Sequence, residues 1–500
     1  MKRFDWIQFW ADITPDKVAA IHASSQQSVT YHELNDRGEK LAHYLQKELG
    51  FKKGDRVIVV AQNCLEYLYL FAAAQKIGLC IVPLNYRLTA HELSSLIVES
   101  EAKLVLYHQD FSRLIEKEEG AQELHGFFER VLNSANQGIL SPVDIHEDDP
   151  IFILFTSGSS GFPKGVLYTH KMLFWNSVNT QISLVINNET KTVVCLPPFH
   201  TGAWNVLLTP LLHVGGSVVL MEKFDASSVL TNIEKHRCQI FMGVPTMLQM
   251  MRDDDAFDKI DLSHLKYIIV GGEAMSLSLI EDYHAKGVPI RQGYGMTEVG
   301  PNLTSLHESN AISKIGSIGK PNMYVQCKIL KEDGTEAKPL ESGELCLKGP
   351  MLTPGYFNAS SIGSEAFGAD GWFRTGDIVM KDEDGFLYIV DRKKNMYISG
   401  GENVYPAEIE RKLKEESSIQ DLVIVAVPDK QWGEVGYAFV VSSNLDKDGV
   451  LAICRQRISK YKSPKHIEIL EALPKTDTGK IDRLALKNKA LNRLAQLETI

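Results

Sequence analysis

Phe155-Thr156-Ser157-Gly158-Ser159-Ser160-Gly161-Phe162-Pro163-Lys164-Gly165-Val166 is the stretch from which the rest of the chain is read. The apolar run Ile151 to Phe155 leads into it and predicts a buried strand. Small residues then let several backbone N–H groups converge on one anion. Thr156, Ser157, Ser159 and Ser160 add hydroxyl donors, and Lys164 adds a positive charge. This is the chemistry of a phosphate cradle. It is not the common P-loop, in which Lys is followed by a Ser or Thr that holds Mg²⁺. Gly165 follows Lys164 here, so a metal ligand must come from elsewhere in the chain. Taken alone, a Gly/Ser-rich loop reads equally well as a surface turn.

Bulk properties narrow the classes. Five hundred residues are too many for one simple core and predict two or more domains. A chain 44% hydrophobic and 23% charged reads as an ordinary soluble globular protein. A net charge of −10 argues against nucleic acid as the main partner. The 7 cysteines are scattered, odd in number and without metal-ligand spacing. That argues against structural disulfides and a zinc site, and fits a reducing cytoplasm. The N-terminus has no long apolar core, so no signal peptide is read. The most apolar later stretch, Tyr67 to Leu84, is broken by Gln75 and Lys76 and is not a membrane span.

From Asp55 onward, apolar runs alternate with helical patterns. Strands are expected at Arg56 to Ala61, Cys80 to Leu84 and Lys103 to His108, with helices after Leu65 and from His91 to Ser100. The alternation predicts a parallel sheet covered by helices. It returns after the phosphate loop, with strands at Thr192 to Leu196, Ser217 to Met221, Gln239 to Val244 and Lys266 to Gly271, as in a second doubly wound unit. From about Tyr324 the pattern becomes that of a small β-rich subdomain. After the charged cluster Asp391 to Asn395, a compact α+β unit is expected. The reading is therefore α/β: an N-terminal domain over 1–390 holding two doubly wound sheets and the β-rich subdomain, a hinge at 391–395, and a mobile α+β domain over 396–500.

Four further stretches carry chemistry. In Gln292-Gly293-Tyr294-Gly295-Met296-Thr297-Glu298, glycines flank an aromatic that can lie on a planar ring. Glu298 can supply the carboxylate that the loop lacks, because Mg²⁺ favours one or two carboxylates plus phosphate oxygens. The other reading is a strand-end turn with an exposed Glu. Trp372-Phe373-Arg374-Thr375-Gly376-Asp377 places a carboxylate after a turn, as suits two ribose hydroxyls, or is a simple turn. Asp391-Arg392-Lys393-Lys394 and Ser399-Gly400-Gly401-Glu402-Asn403 read as a hinge or as a solvated charge run. Pro474 to Ile481 presents Lys480 from a turn, or Lys480 is plain surface.

Together and in this order, the five motifs resemble the series of the acyl-adenylate-forming superfamily: acyl-CoA synthetases, adenylation domains of peptide synthetases and luciferase-like enzymes. The similarity spans nearly the whole chain, from Thr30-Tyr31-His32-Glu33-Leu34 to Lys480. It implies an AMP-forming acid–thiol ligase using ATP, Mg²⁺ and coenzyme A. The acid and ATP give an acyl-adenylate and pyrophosphate, and the CoA thiol then gives acyl-CoA and AMP.

The resemblance also implies roles. Thr156, Ser157, Gly158, Ser159, Ser160, Gly161 and Lys164 wrap the triphosphate. Gly272, Glu273, Gln292, Gly293, Tyr294, Gly295 and Met296 bind ATP, with Tyr294 packed on the adenine. Thr297 touches the α-phosphate and Glu298 holds Mg²⁺. Asp377 binds the ribose, with Ile389 and Arg392 nearby. Lys394 is the hinge. Ser399, Gly400 and Gly401 line the pantetheine side. Lys480 bridges carboxylate and phosphate in the first half-reaction. Asn395 stands where many relatives carry an acid, and Lys394 where some carry Asp.

For the acid pocket the reading names His200, Ala203, Trp204, Gly271, Gly293, Met296, Val299 and Gly300, a mostly apolar set. No acidic residue there would anchor an ammonium group. The wording is similar to fatty acyl-CoA ligases, so a medium- or long-chain fatty acid is expected, with an aryl acid as the alternative. Trp204 either points inward and shortens the tunnel or packs outward. Only 20 residues follow Lys480, so free CoA is expected rather than a fused carrier, with a carrier protein in trans as the other acceptor. A homodimer and peripheral contact with a membrane are left open.

Overall fold

The computed structural model describes residues 4–134, 139–156, 163–272, 275–358, 367–368, 370–393, 395–399, 402–430, 432–458, 462–476 and 480–498. The chain divides into two compact units, one of residues 1–327 with 347–373, the other of residues 328–346 with 374–500.

The first unit is built on three sheets. One runs Gln122–Glu123, Leu104–Tyr107, Arg56–Val60, Cys80–Pro83, Pro150–Thr156 and Lys164–Thr169. Its pairs are parallel except the last, which is an antiparallel hairpin with Phe155 opposite Gly165 and Thr156 opposite Lys164. A second carries Ile240–Gly243, Tyr267–Val270 and Ile290–Tyr294 in parallel, then Thr304–Leu306 and Ser317–Pro321 in antiparallel.

The third sheet departs from expectation. Lys191–Val194 and Ser217–Leu220 do not extend the second sheet. They pair in parallel with each other, and Ser217–Leu220 also pairs in parallel with Val18–His22, which is flanked by Ser28–Thr30. Val18-Ala-Ala-Ile-His carries little β-branched character, so its strand signal is weak, although Ala19 and Ala20 are fully buried. The stretch Thr30 to Leu34, singled out above, proves to be a helix start. Thr30 Oγ1 accepts from the Glu33 N–H, and Glu33 Oε2 accepts from the Thr30 N–H at 2.8 Å, a reciprocal cap.

The N-terminal helix Trp6–Ile13 is fastened by a buried ion pair. Asp5 caps it, accepting from the Gln8 N–H at 3.0 Å, and its other oxygen holds Lys76 Nζ at 3.0 Å. Lys76 also donates to Asn35 Oδ1 at 2.6 Å. The charged side chains are 4% and 6% exposed. Removing one partner of a buried pair strands the other. Lys76→Ala is therefore expected to cost about 3–5 kcal/mol, read as a lowered urea midpoint. A change below about 1 kcal/mol, the worth of a surface pair, would contradict this account.

The second unit contains an antiparallel ribbon and a mixed sheet. In the ribbon, Leu387–Arg392 pairs with Phe373–Lys381, which is followed in order by Ser342–Lys348 and Gln326–Leu330. In the mixed sheet, the long strand Gly433–Val441 pairs with Asp421–Asp429, with His466–Leu470 and, at its start, with Tyr397–Ser399. Strand pairing ties 374–392 to 328–346 within this unit. None of the seven cysteines forms a disulfide with a described residue. No described helix is long and apolar enough to cross a membrane.

Candidate active site

The strands on either side of 157–162 pair as an antiparallel hairpin. Thr156 and Lys164 face each other across its base, with Thr156 Oγ1 donating to the Lys164 carbonyl at 3.4 Å. Ser157, Gly158, Ser159, Ser160 and Gly161 lie outside the described residues. The outer edge of Lys164–Thr169 is taken up by residues 355–357. The Leu167 N–H donates to the Gly355 carbonyl at 3.1 Å, and the Phe357 N–H to the Gly165 carbonyl at 2.7 Å.

This seam brings in Tyr356, which sequence reading missed. Its hydroxyl donates to Glu298 Oε1 at 3.0 Å, and Lys164 Nζ lies 5.4 Å from its ring centroid. One phenol thus touches both the loop cation and the expected metal carboxylate. Burial and the Glu298 carboxylate hold the phenol firmly protonated, well above its ordinary range. The Glu298 backbone is fixed as well, its carbonyl accepting from the Thr353 N–H at 2.8 Å. The sequence signal was the aromatic in Pro354-Gly355-Tyr356, but only the pairing of 355–357 with a distant strand gives it a place.

Glu298 is 8% exposed, which overturns the alternative of an exposed turn residue. Thr297, Glu298 and Val299 form one 3₁₀ turn after the strand Ile290–Tyr294. Gly295 permits this path: a Cβ there would lie 2.1 Å from the Pro301 carbonyl oxygen. Gln292 Oε1 accepts from the Met275 N–H at 3.3 Å, while its buried Nε2 has no partner among the described residues. A buried donor of that kind and a buried, fixed carboxylate fit a metal–nucleotide, since Mg²⁺ takes few protein carboxylates and completes its shell with phosphate oxygens and water. Tyr294 is buried at the strand end, Gly272 is exposed, and Glu273 lies outside the described residues.

The acid-pocket residues separate. Trp204 is 2% exposed, meets Tyr67 edge-on and Phe71 and Phe152 at tilted angles, and donates from Nε1 to the Pro198 carbonyl at 2.8 Å. Ala203 lies between two small cavities. One is shared with Trp204 and Tyr67; the other is lined by Val193, Leu196, Leu207 and Met242 among others. The Met242 methyl stands 3.9 Å from a Cβ placed on Gly202 and 3.8 Å from one on Gly271, so it joins the two glycine-lined walls. Met242 was not singled out in the sequence, where it reads as ordinary strand core. Gly293 faces Gly271 across the parallel pair, Val299 and Gly300 are buried, and Met296 and His200 are half-buried.

In the second unit, Asp377 is 1% exposed and pairs with Arg392 Nε at 2.6 Å, the two residues being opposite each other across the ribbon. Ile389 lies on the same strand as Arg392, half-buried. Ser399 is buried at the start of the mixed sheet, while Lys394, Gly400 and Gly401 lie outside the described residues. Lys480 is exposed on a turn whose carbonyl accepts from the Thr476 N–H at 2.7 Å, with Lys475 bridged to Ile481. Three residues on, Arg483 anchors the turn. It donates to Glu410 Oε2 at 2.6 Å and to the Ile424 carbonyl at 2.9 Å. Burial pushes the Glu410 carboxyl up, and Arg483 pulls it back.

A model of the AMP-binding enzyme family matches residues 7–357, and a model of the AMP-binding enzyme C-terminal domain matches residues 408–480. The chain belongs to the AMP-binding enzyme family. It is 35% identical to a feruloyl-CoA synthase of Amycolatopsis, covering 94% of this chain and 95% of that one. It is 33% identical to the long-chain-fatty-acid–CoA ligase FadD13 of Mycobacterium tuberculosis, covering 98% and 99%. Among solved structures, o-succinylbenzoate CoA synthetase of Bacillus subtilis with its acyl-adenylate OSB-AMP superimposes with a TM-score of 0.86 at 31% identity, covering 97% of this chain and 98% of that one. The same synthetase in complex with ATP and magnesium ion gives 0.86 at 30%, covering 97% and 98%.

In this AMP-binding enzyme, Tyr356→Phe removes one hydrogen bond to a carboxylate and keeps the ring beneath Lys164. We expect kcat/KM for ATP to fall roughly tenfold, the order for a hydrogen bond to a charged group, in a steady-state pyrophosphate assay. An unchanged value would reduce Tyr356 to packing.

Proposed function

We propose that the protein is an ATP-dependent, AMP-forming ligase that joins an apolar carboxylic acid to coenzyme A. The observation that carries this reading is the Lys164–Tyr356–Glu298 arrangement, which sets a phosphate cation and a buried metal carboxylate on one phenol. A carboxylate attacking a polyanionic nucleotide gains most from positive charge placed where charge develops. Lys164 and Lys480 supply that charge, and Glu298 holds Mg²⁺ delivered with the nucleotide. Gln292 and Tyr294 receive the adenine, and Asp377 receives the ribose hydroxyls. The segment 391–395 acts as the hinge of a mobile C-terminal domain, and Ser399, Gly400 and Gly401 serve the thiol half-reaction.

For the acid, a medium- or long-chain fatty acid is the first class, supported by the apolar walls around Met242 and by the fatty-acid relative. An aryl acid is favoured by the feruloyl and succinylbenzoate relatives and by the pairing of two glycines, Gly202 and Gly271, around one methyl.

The test is pyrophosphate release with ATP and Mg²⁺ across fatty and aryl acids, with and without CoA. Acid-dependent release with an acyl-CoA product supports the ligase, and the best acid identifies the class. Release with transfer only to an added carrier protein would replace CoA as the acceptor. Absence of acid-dependent release from folded, ATP-binding protein would contradict the reading.

A further inference from the structure

The interior of the first unit holds a group of amide side chains that the ligase reading leaves unused. Asn176 lies on helix His170–Leu184, Asn205 in the π-helical turn Ala203–Leu208, and Asn302 four residues beyond Glu298. Asn176 and Asn205 are 1% and 0% exposed. Buried amides are costly unless their hydrogen bonds are made.

Here they are spent on the π-helical turn. Widening an α-helix to π spacing takes carbonyls away from their usual N–H partners, and such turns recur at functional sites. The Asn205 carbonyl accepts from Asn176 Nδ2 at 2.7 Å and from Asn302 Nδ2 at 3.2 Å. The Val206 carbonyl accepts from Asn302 Nδ2 at 3.3 Å. Asn302 Nδ2 also donates to Thr180 Oγ1. In return, Asn176 Oδ1 accepts from the Asn302 backbone N–H at 3.3 Å, and the Asn302 carbonyl accepts from Asn322 Nδ2 at 2.8 Å.

Gly300 closes the contact. It has φ +74, and a Cβ there would lie 3.2 Å from Asn176 Oδ1. The segment leaving Glu298 is therefore clamped to the turn that carries Ala203 and Leu207 to the cavity walls.

We propose that Asn302, together with Asn176, is a positioning residue that fixes the Thr297–Glu298 turn against the π-helical turn of the acid pocket, so that metal–nucleotide binding and acid binding share one support. This rests on the ligase reading for its acid half only. Neither asparagine touches the reacting atoms. Each acts through the backbone that it holds. Loss of the Asn302 amide removes the side-chain donor on the Val206 carbonyl and one of the two on the Asn205 carbonyl, and loosens the segment after Glu298, which keeps its backbone bonds to Asn176 and Asn322.

The test compares the parent protein with Asn302→Ala, Asn302→Ser and Gln181→Ala. Gln181 sits on the same helix as Asn176, but its amide bonds to Ser177 and His213. The first readout needs no acid: the Mg²⁺ concentration for half-maximal ATP binding at fixed ATP. The second is KM for the acid against kcat in pyrophosphate release.

Asn302→Ala is expected to raise the Mg²⁺ requirement and the acid KM about tenfold each, the equivalent of 1.4 kcal/mol, with a smaller change in kcat. Asn302→Ser keeps a short donor and is expected to fall between Ala and the parent. It serves as the decisive variant if Ala does not fold. Gln181→Ala is expected to match the parent. A merely structural role lowers the melting temperature or the active fraction, hence kcat, and leaves both other quantities within twofold; that result overturns the proposal. If the parent releases no acid-dependent pyrophosphate, the ligase reading fails, and the Mg²⁺ readout still decides the role of Asn302.

Discussion

Lys480→Ala is expected to slow acid-dependent pyrophosphate release by roughly 10²- to 10³-fold, the usual range for removing one group that stabilises transition-state charge. Thioester formation from a supplied acyl-adenylate is expected to stay near the parental rate. The side chain is exposed on its turn, so truncation removes charge without disturbing packing. The turn itself is held by Arg483 on Glu410 and on the Ile424 carbonyl, neither of which the substitution touches. A defect confined to the first step is the signature of a C-terminal domain that presents Lys480 for adenylation and withdraws it for the thiol. Rapid-quench measurement of each half-reaction separates the two. Equal losses in both would contradict the mobile-domain proposal.

Glu298→Gln is expected to cost roughly hundredfold in kcat/KM for ATP, because in the proposed reading several kcal/mol of metal-borne charge stabilisation depend on that carboxylate. Glutamine has nearly the same volume and still accepts from the Tyr356 hydroxyl and, through its backbone, from the Thr353 N–H. The fold and the local cage are thus preserved while the charge is removed. Part of the loss is expected to return at high Mg²⁺, since a weakened site fills by mass action. A titration of activity against Mg²⁺ checks this. A variant with unaltered Mg²⁺ dependence would remove Glu298 from the metal role.

Much of this was legible in the chain. The alternation of apolar runs with helical spacing located most strands of the parallel sheets, because fully buried strands read as short continuous apolar runs. Motif order along the chain identified the family, which neither the phosphate loop nor Thr375-Gly376-Asp377 could do alone. Four features escaped. Val18–His22 is built on two alanines and carries little strand propensity, so its claim on Ser217–Leu220 was invisible. Tyr356 matters only through the pairing of 355–357 with Gly165 and Leu167, nearly two hundred positions away. Met242 and Asn302 are placed by packing across elements, and their residue types carry no motif. The Trp204 ring shows the converse. Its identity drew attention in the sequence, while its core neighbours Tyr67, Phe71 and Phe152 come from distant elements that the sequence does not join.

The unit boundary follows the same logic. The residues 328–346 fall in one unit with 374–500, a grouping that separation along the chain does not announce. Asp377 and Lys480 therefore belong to one unit, and Lys164, Gln292 and Glu298 to the other.

The central claim is that an acyl-adenylate is formed first and then consumed by a thiol. The most direct measurement is the time course of pyrophosphate at high enzyme concentration, with acid, ATP and Mg²⁺, before and after CoA is added. The account predicts a burst of about one equivalent per enzyme that stalls until CoA arrives, then turnover with AMP and acyl-CoA formed in equal amounts. Release of ADP, or pyrophosphate production indifferent to both acid and CoA, would contradict it.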